Sequence, residues 1–440
     1  MERRGIPSVL VCTDEFIDLA RREAAAMGMP GLPIVVIPHP VGTIPREKVE
    51  QLADAALEEI VYVLTHEGER LEEEYLKKAQ ELKKRSPSYK VMDLNPLEVI
   101  EIENSLQGMR EANRLFYERG WTDGLPVIPP TQGEVSRMLE FVGKGGGEIL
   151  GRMPPKWAEL TLLKAAINAV MAGCLPSYFP VVLAALEAIL DPRFNLYGVQ
   201  ATTNSASPLL VINGPLVKEL DLNSGHNVFG QGWQSNATIG RAVRLTMVNV
   251  GGANPGGLDH ATQGHPGKYT FCIAENEGAN PWQPLHVERG FDLQRSTVTA
   301  IGCAGPVLIM GEGIRGEEIL ASAASTLSAR GANTILFGGA PGLVLTPEAA
   351  AMIARDGFSK EDVKRFLFET ARVPITAYTP AALGVVTRFR PDMEGAEFIT
   401  IADRWEDIVI IVAGGEGAPH MSFLPTFQSS YPVTKAINTT

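Results

Sequence analysis

Two short apolar runs set the first constraint on this chain. Residues 8–13 (SVLVCT) and 33–37 (PIVVI) are β-rich, and residues 14–28 between them have helical spacing. From Arg46 to about Thr65, Val49, Leu52, Ala56, Ile60 and Val63 fall on one helix face. The order is β-α-β-α. Its helical crossover makes the strands parallel, and parallel strands are normally buried on both faces within larger sheets. Two strands alone do not make an independent sheet. Residues 1–66 are therefore expected to add to strands supplied elsewhere, by the large domain or by another polypeptide.

The charged stretch EGERLEEEYLKKAQELKKR (67–85) places Glu73 and Glu74 four residues before Lys77 and Lys78, the pattern of a solvated connecting helix. SPSYKVMDLNP breaks it, and residues 97–119 resume helical spacing. Residues 67–120 read as a helical linker and 121–440 as a large α/β domain, two closely joined units being the alternative. Helices are expected over 156–172, 180–190, 235–248, 316–328, 347–356 and 360–371, the last opened by a Ser359/Asp362 variant of the capping box. Strands are expected at 208–213, 269–274, 297–301, 307–310, 333–337, 398–402 and 408–412. The alternation favours helices on a mostly parallel sheet, and no internal repeat is evident. The fold class is α/β: a parallel-sheet half-domain plus a large α/β domain.

Composition narrows the function. A chain of 440 residues, 45% hydrophobic and 20% charged, has ample apolar surface for two or three cores. Its net charge of −12 argues against a nucleic-acid or anionic-membrane surface. The absence of a signal-peptide pattern and of a clean apolar span points to a cytoplasmic protein that does not cross a membrane. Cys12, Cys174, Cys272 and Cys303 are widely separated, which suits a reducing compartment and excludes a zinc ribbon.

The stretch GIPSVLVCTDEFIDLARREAAAMGMPGLPIVVIPHPVG, with EIVYVLT, resembles the second half of the UGSC-like domain, a family named for a selenocysteine- or cysteine-containing motif in its first half. It is more distantly similar to the selenocysteine subunits of glycine, betaine and D-proline reductases, which share a VCT strand followed by IPHP and Gly. WTDGLPVIPPT and VAGGEGAPHMSFLPTF resemble the large domain that accompanies such half-domains in uncharacterised bacterial proteins. The segment bearing the family's redox Cys or selenocysteine, expected before residue 5, is not found. The resemblance thus implies one subunit of a thiol- or selenol-dependent oxidoreductase-like enzyme, with the principal nucleophile on a partner chain. Reductive cleavage or thiol transfer at carbon is the implied chemistry, and Cys12 takes the place of a supporting or resolving thiol.

The residues themselves supply candidates. Cys12 ends a strand at the edge where open α/β sheets bind ligands, and the helix that follows is expected to lower its thiol pKa; a buried structural cysteine is the plainer reading. His39, between two prolines after the second strand, is a candidate acid or base at the same edge. Trp121 and Asp123 either face a pocket or form a structural clasp. Residues 202–236 gather neutral polar groups (Asn204, Ser205, Asn223, His226, Gln231, Trp233, Gln234 and Asn236) suited to contouring a polar ligand. Glu275, Glu277 and Trp282 read as polar site walls, and His420 follows the glycine loop of Gly414 and Gly415, whose N–H groups suit an anion.

His260, His265, Cys272, Glu275, Glu277, His286 and Glu288 form a dense but irregular set for a metal, and strand alternation splits it. Metal is accordingly possible but disfavoured. Neither GxGxxG nor GxxxxGK[ST] occurs, so no nucleotide cofactor is implied. The preferred reading is an enzyme subunit acting on a small polar substrate with a Cys- or selenocysteine-bearing partner, or else a homo-oligomer. The alternatives are a self-contained hydrolase or lyase, metal-dependent or not, using His226, Glu275 and His420, and a non-catalytic scaffold.

Overall fold

The computed structural model describes residues 7–39, 41, 44–66, 71–78 and 97–438. At its start β1 (Leu10–Thr13) and β2 (Ile34–Ile37) pair in parallel, Leu10 opposite Ile34 and Thr13 opposite Ile37. A 3-10 turn at Asp14–Phe16 and a helix at Ile17–Ala26 connect them, and a helix at Arg46–Thr65 follows. The β-α-β-α reading holds. Among the described residues no further strand joins β1 and β2.

Helix Arg46–Thr65 buries Ala56 and Val63, yet leaves Leu57 and Val61 exposed. Residues 71–78 are helical and cover Val63 with Leu71 and Tyr75. The remainder of the expected 67–85 helix lies outside the described residues. Residues 97–104 are not helical; the helix begins at Leu106, capped by Ser105, and runs to Glu118. Its Ala112 and Phe116 are buried in the largest core.

The expected helix from 156 is divided. β3 (Ile149–Met153) and β4 (Ala158–Thr161) form an antiparallel hairpin, and the helix starts only at Leu162. Thr161 stops the strand and caps the helix, its hydroxyl accepting the Lys164 N–H at 3.3 Å.

Beyond this lie two four-stranded sheets. The first contains β5 (Ser207–Asn213), β6 (Cys272–Ala274) and β7 (Thr297–Cys303); the second contains β8 (Val307–Ile309) and β9 (Gly342–Leu345). A small pair follows, β10 (Arg372–Pro374) with β11 (Phe398–Thr400). β12 (Val409–Val412) and β13 (Met421–Leu424) complete the second sheet, and β14 (Val433–Ala436) returns to the first. Each sheet holds one parallel pair, which corrects the expectation of a mostly parallel sheet.

The layers follow from strand alternation. Leu209 and Val211 of β5 face Val344, Ile411 and Leu424 in a core between the sheets. Leu210 and Ile212 point the other way, onto helices Leu162–Ala172, Phe179–Leu190 and Gln234–Thr246. Leu343, Leu345, Ile410 and Val412 likewise pack on helices Gly316–Leu327, Pro347–Arg355 and Lys360–Thr370. The arrangement is helix, sheet, sheet, helix.

A repeat is present after all. The first sheet runs β6-β5-β7-β14 and the second β12-β9-β13-β8, both parallel, antiparallel, antiparallel in that order. The hexapeptide AENEGA (274–279) leaves β6 and AGGEGA (413–418) leaves β12, at equivalent places. Each half also gives its last strand to the other sheet: β8 follows β7 but pairs with β13, and β14 follows β13 but pairs with β7.

One strand was misplaced. Residues 333–337 are a short helix, and the strand lies later, after Gly338 and Gly339, both at positive φ. The capping box at Ser359 and Asp362 is present, with bonds of 3.1 and 2.9 Å. Among the described residues no helix is long and apolar enough to cross a membrane.

Candidate functional site

Parallel pairing brings the ends of β1 and β2 together, so that Thr13 meets His39 while Cys12 lies opposite Val36. The Thr13 hydroxyl lies 3.2 Å from His39 Nδ1, and the His39 N–H donates to Asp14 Oδ1 at 2.9 Å. Cys12 is half-buried, its thiol donating to the Thr13 carbonyl at 3.2 Å. Phe16 places its ring 5.8 Å from that of His39 and 5.3 Å from that of His260.

The expectation of an acidified thiol is not met. Burial pushes the Cys12 pKa up and Asp14 adds to the push, while Arg21 opposes them without reversing the sign. The 3-10 turn interposes Asp14 between strand and helix, and its negative charge acts on the sulfur more strongly than the positive charge of Arg21. Arg21 donates through Nη1 to the Leu32 carbonyl at 2.7 Å, and its Nε and Nη2 are buried without an acceptor.

A raised pKa means less thiolate at neutral pH. Cys12 is therefore expected to react with iodoacetamide at pH 7.5 severalfold more slowly than a cysteine in an unstructured peptide, with the rate still climbing above pH 9. Asp14→Asn is expected to quicken it. Mass-resolved labelling reads Cys12 directly, because the thiols of Cys174, Cys272 and Cys303 are buried and pushed up. A rate that levels off below pH 8 contradicts this.

The half-domain rests on the large domain through Leu19, Leu258 and Ala201, with Phe16 and Tyr197 alongside. Trp157 Nε1 donates to Glu23 at 2.5 Å. The loop carrying Leu258 and His260 is held by Asp259, 5% exposed, which accepts from Arg244 at 3.0 Å and from Lys268 at 2.7 and 2.8 Å. Sequence reasoning did not connect Phe16, Tyr197 or His260 with the Cys12 edge. They come from separate segments with no shared spacing.

Most of the polar cluster over 202–236 is occupied with itself. Asn236 accepts the Asn223 N–H at 2.7 Å and donates to the carbonyls of Asn223 and Cys272 at 3.2 Å each. Asn223 spans its own loop, accepting from Gly225 and donating to the His226 carbonyl. Asn204 exchanges amide bonds with Asn333, and Ser205 beside it is half-buried. Gln231 and Gln234 are exposed, and Trp233 is the half-buried N-cap residue of helix Gln234–Thr246.

Glu275 is 1% exposed and its carboxylate ties three elements together. Asn213 Nδ2 and the Leu285 N–H donate to one oxygen at 2.6 and 2.7 Å; Asn280 Nδ2 donates to the other at 2.9 Å. Burial pushes its pKa up, against Lys360 and these donors. Glu277 shares Asn213 and lies 3.6 Å from the buried His286. Trp282 donates to the Phe358 carbonyl and packs on the second core. Both acids and the tryptophan are bonded to the protein itself.

The remaining metal candidates are dispersed. Glu288 pairs with Lys360 and Lys364, Cys272 faces the core, and His265 accepts the Gly267 N–H. Among the described residues no three His, Cys, Asp or Glu gather around one point. His226 and the glycine loop do meet: the Gly414 N–H donates to Ser224, and a Cβ at Gly415 would stand 1.8 Å from His226 Nδ1. His226 is exposed, while His420 is half-buried and its carbonyl receives Thr346.

The WTDGLPVIPPT segment has two roles. Asp123 is a clasp, receiving both Nε and Nη2 of Arg241 at 2.7 and 2.8 Å, and is thereby withdrawn from any pocket. Trp121 lines a cavity of about 1410 Å³ between this segment, residues 97–104 and helix Leu162–Ala172.

Residues 1–66 match the model of the UGSC family. No curated protein matches the chain.

Proposed function

We propose that this chain is one subunit of a thiol- or selenol-dependent enzyme whose redox Cys or selenocysteine is borne by a partner polypeptide docked against residues 1–66. The observation that carries the reading is the parallel pair β1–β2, to which no third strand is joined among the described residues. Such pairs need more sheet to be stable. The UGSC match over this segment supports the same class of chemistry.

In this reading the partner's selenolate or thiolate displaces a leaving group from a substrate carbon, and the leaving group departs with a proton. The Cys12 thiolate then attacks the carbon-bound selenium or sulfur. A bond forms between the two chalcogens, the carbon leaves with the electron pair, and His39 protonates it. Substrate carbon is reduced by two electrons, the Cys12 pair is oxidised, and an external dithiol restores it. A resolving thiol is called on only at the second step, after docking has changed its surroundings, so a raised resting pKa is compatible with the role.

Purification from the source cell at low salt, followed by intact-complex mass spectrometry and selenium analysis, tests the reading. A stoichiometric companion with a Cys or selenocysteine motif is the expected result, and Cys12→Ser is then expected to leave assembly intact while stopping turnover. A homo-oligomer without a companion would overturn the proposal and return attention to the large domain.

A further inference from the structure

We propose that the cavity beside Trp121 binds an organic acid, with its carboxylate at Lys164 and its apolar body against Phe116, Trp121 and Met171. The cavity, about 1410 Å³, exceeds the space a drug-sized ligand fills and leaves room for an apolar body beyond the carboxylate. Its wall is mainly apolar with a few convergent polar groups, the usual composition of a small-molecule site.

Three observations supply the charge and the orientation. Lys164 lies in the first turn of the 11-residue helix Leu162–Ala172, which has no acidic residue there, so the helix dipole adds to the lysine's positive charge. Its Nζ donates to the Glu159 carbonyl at 2.6 Å, and among the described residues no carboxylate forms an ion pair with it. The acids on the same wall are otherwise engaged: Glu98 with Arg119, Glu118 with Arg114 and Glu134 with Arg137. Glu103 is exposed.

The floor is built. A π turn at Met247–Gly251 interrupts the end of a helix, a deviation that recurs at functional sites, and it sets Asn249 on the cavity wall. Asn249 Nδ2 donates to Asn168 Oδ1 at 2.6 Å and to the Trp121 carbonyl at 3.0 Å. Asn168, 3% exposed, donates to the Lys164 carbonyl at 2.9 Å. Both amides are thereby locked in one orientation, since a flipped Asn249 would set its oxygen against two acceptors. The network joins the aromatic wall to the cation.

Calorimetry on the full chain with 4-phenylbutanoate and its neutral counterpart 4-phenylbutanamide tests the site. The acid is expected to bind about tenfold or more tightly than the amide, as a charge-assisted contact requires. Lys164→Met is expected to erase that preference, and Lys164→Arg to keep most of it. Equal affinities, or an unaltered preference in Lys164→Met, would overturn the proposal, as would the absence of both heat and thermal shift with the acid. The site does not depend on the thiol reading: acid binding by a chain that purifies alone would keep the cavity and remove the partner.

Discussion

Glu275→Ala is expected to destabilise the large domain by about 3–5 kcal/mol, the sum of a buried void and of donors left without an acceptor. Asn213 Nδ2, the Leu285 N–H and Asn280 Nδ2 all converge on this carboxylate, and they belong to the end of β5 and to the connection from β6 to β7. The Val412 N–H of β12 reaches the same carboxylate at 3.5 Å, so its loss would also loosen the junction of the two sheets. Glu275→Gln keeps one accepting oxygen and is expected to cost less. The sign with pH follows from burial: the folded pKa is raised, so the folded chain holds the proton more tightly than the unfolded one. Glu275 therefore loses stability as pH rises from the ordinary carboxylate range through its raised value, and Glu275→Gln removes that slope. Denaturant midpoints at pH 5 and pH 8 measure both effects. A catalytic base would show the opposite pattern, with activity lost in Glu275→Gln and stability preserved.

Asp259→Asn is expected to cost a similar ~3–5 kcal/mol, because it strands the buried Arg244 and the half-buried Lys268. Burial alone would raise the Asp259 pKa, but the two cations outweigh it and hold the carboxyl below its usual range. Its contribution is complete at neutral pH and is lost as pH falls through the depressed value. His265 in the same loop is pushed down to about 4, by burial first and then by Lys268 and Arg244. Protonating it opposes folding between about pH 6.5 and 4, so the loop is sensitive to acid across that window. Leu258 and His260 of this loop touch the half-domain, so Asp259→Asn is also expected to raise Cys12 labelling by iodoacetamide. Unchanged labelling with a lowered midpoint would separate the loop from the Cys12 edge.

The parts legible in the sequence were those with a local cause. The β-α-β-α order, the Ser359 capping box and the long strands β5 and β7 each carry a pattern within a few residues. The strands not expected, β3, β4, β9, β10, β13 and β14, run three to five residues, too short for periodicity alone to separate them from loop or helix. Residues 333–337 misled because a short apolar run fits either element. The repeat was legible in AENEGA and AGGEGA, yet six residues carry weight only once β6 and β12 occupy matching positions.

The candidate site divides along similar lines. Strand pairing puts Thr13, the neighbour of Cys12, in contact with His39, and Trp121 lines a cavity. Asn223, Asn236 and Asp123 instead satisfy other protein groups. Composition registers that a side chain is polar; it does not register whether its partner is a ligand or the backbone of a neighbouring loop.

The exchange of β8 and β14 bears on how the chain is made. A ribosome releases β5, β6 and β7 long before β14, so the first sheet waits with its β7 edge bare while the entire second half is synthesised. The nascent first half must be kept from pairing that edge with other chains, which is the circumstance in which chaperones act. The last strand then closes both the sheet and the hazard. Completion of the first sheet is thus tied to completion of translation, and a chain truncated before Val433 is left with the β7 edge open.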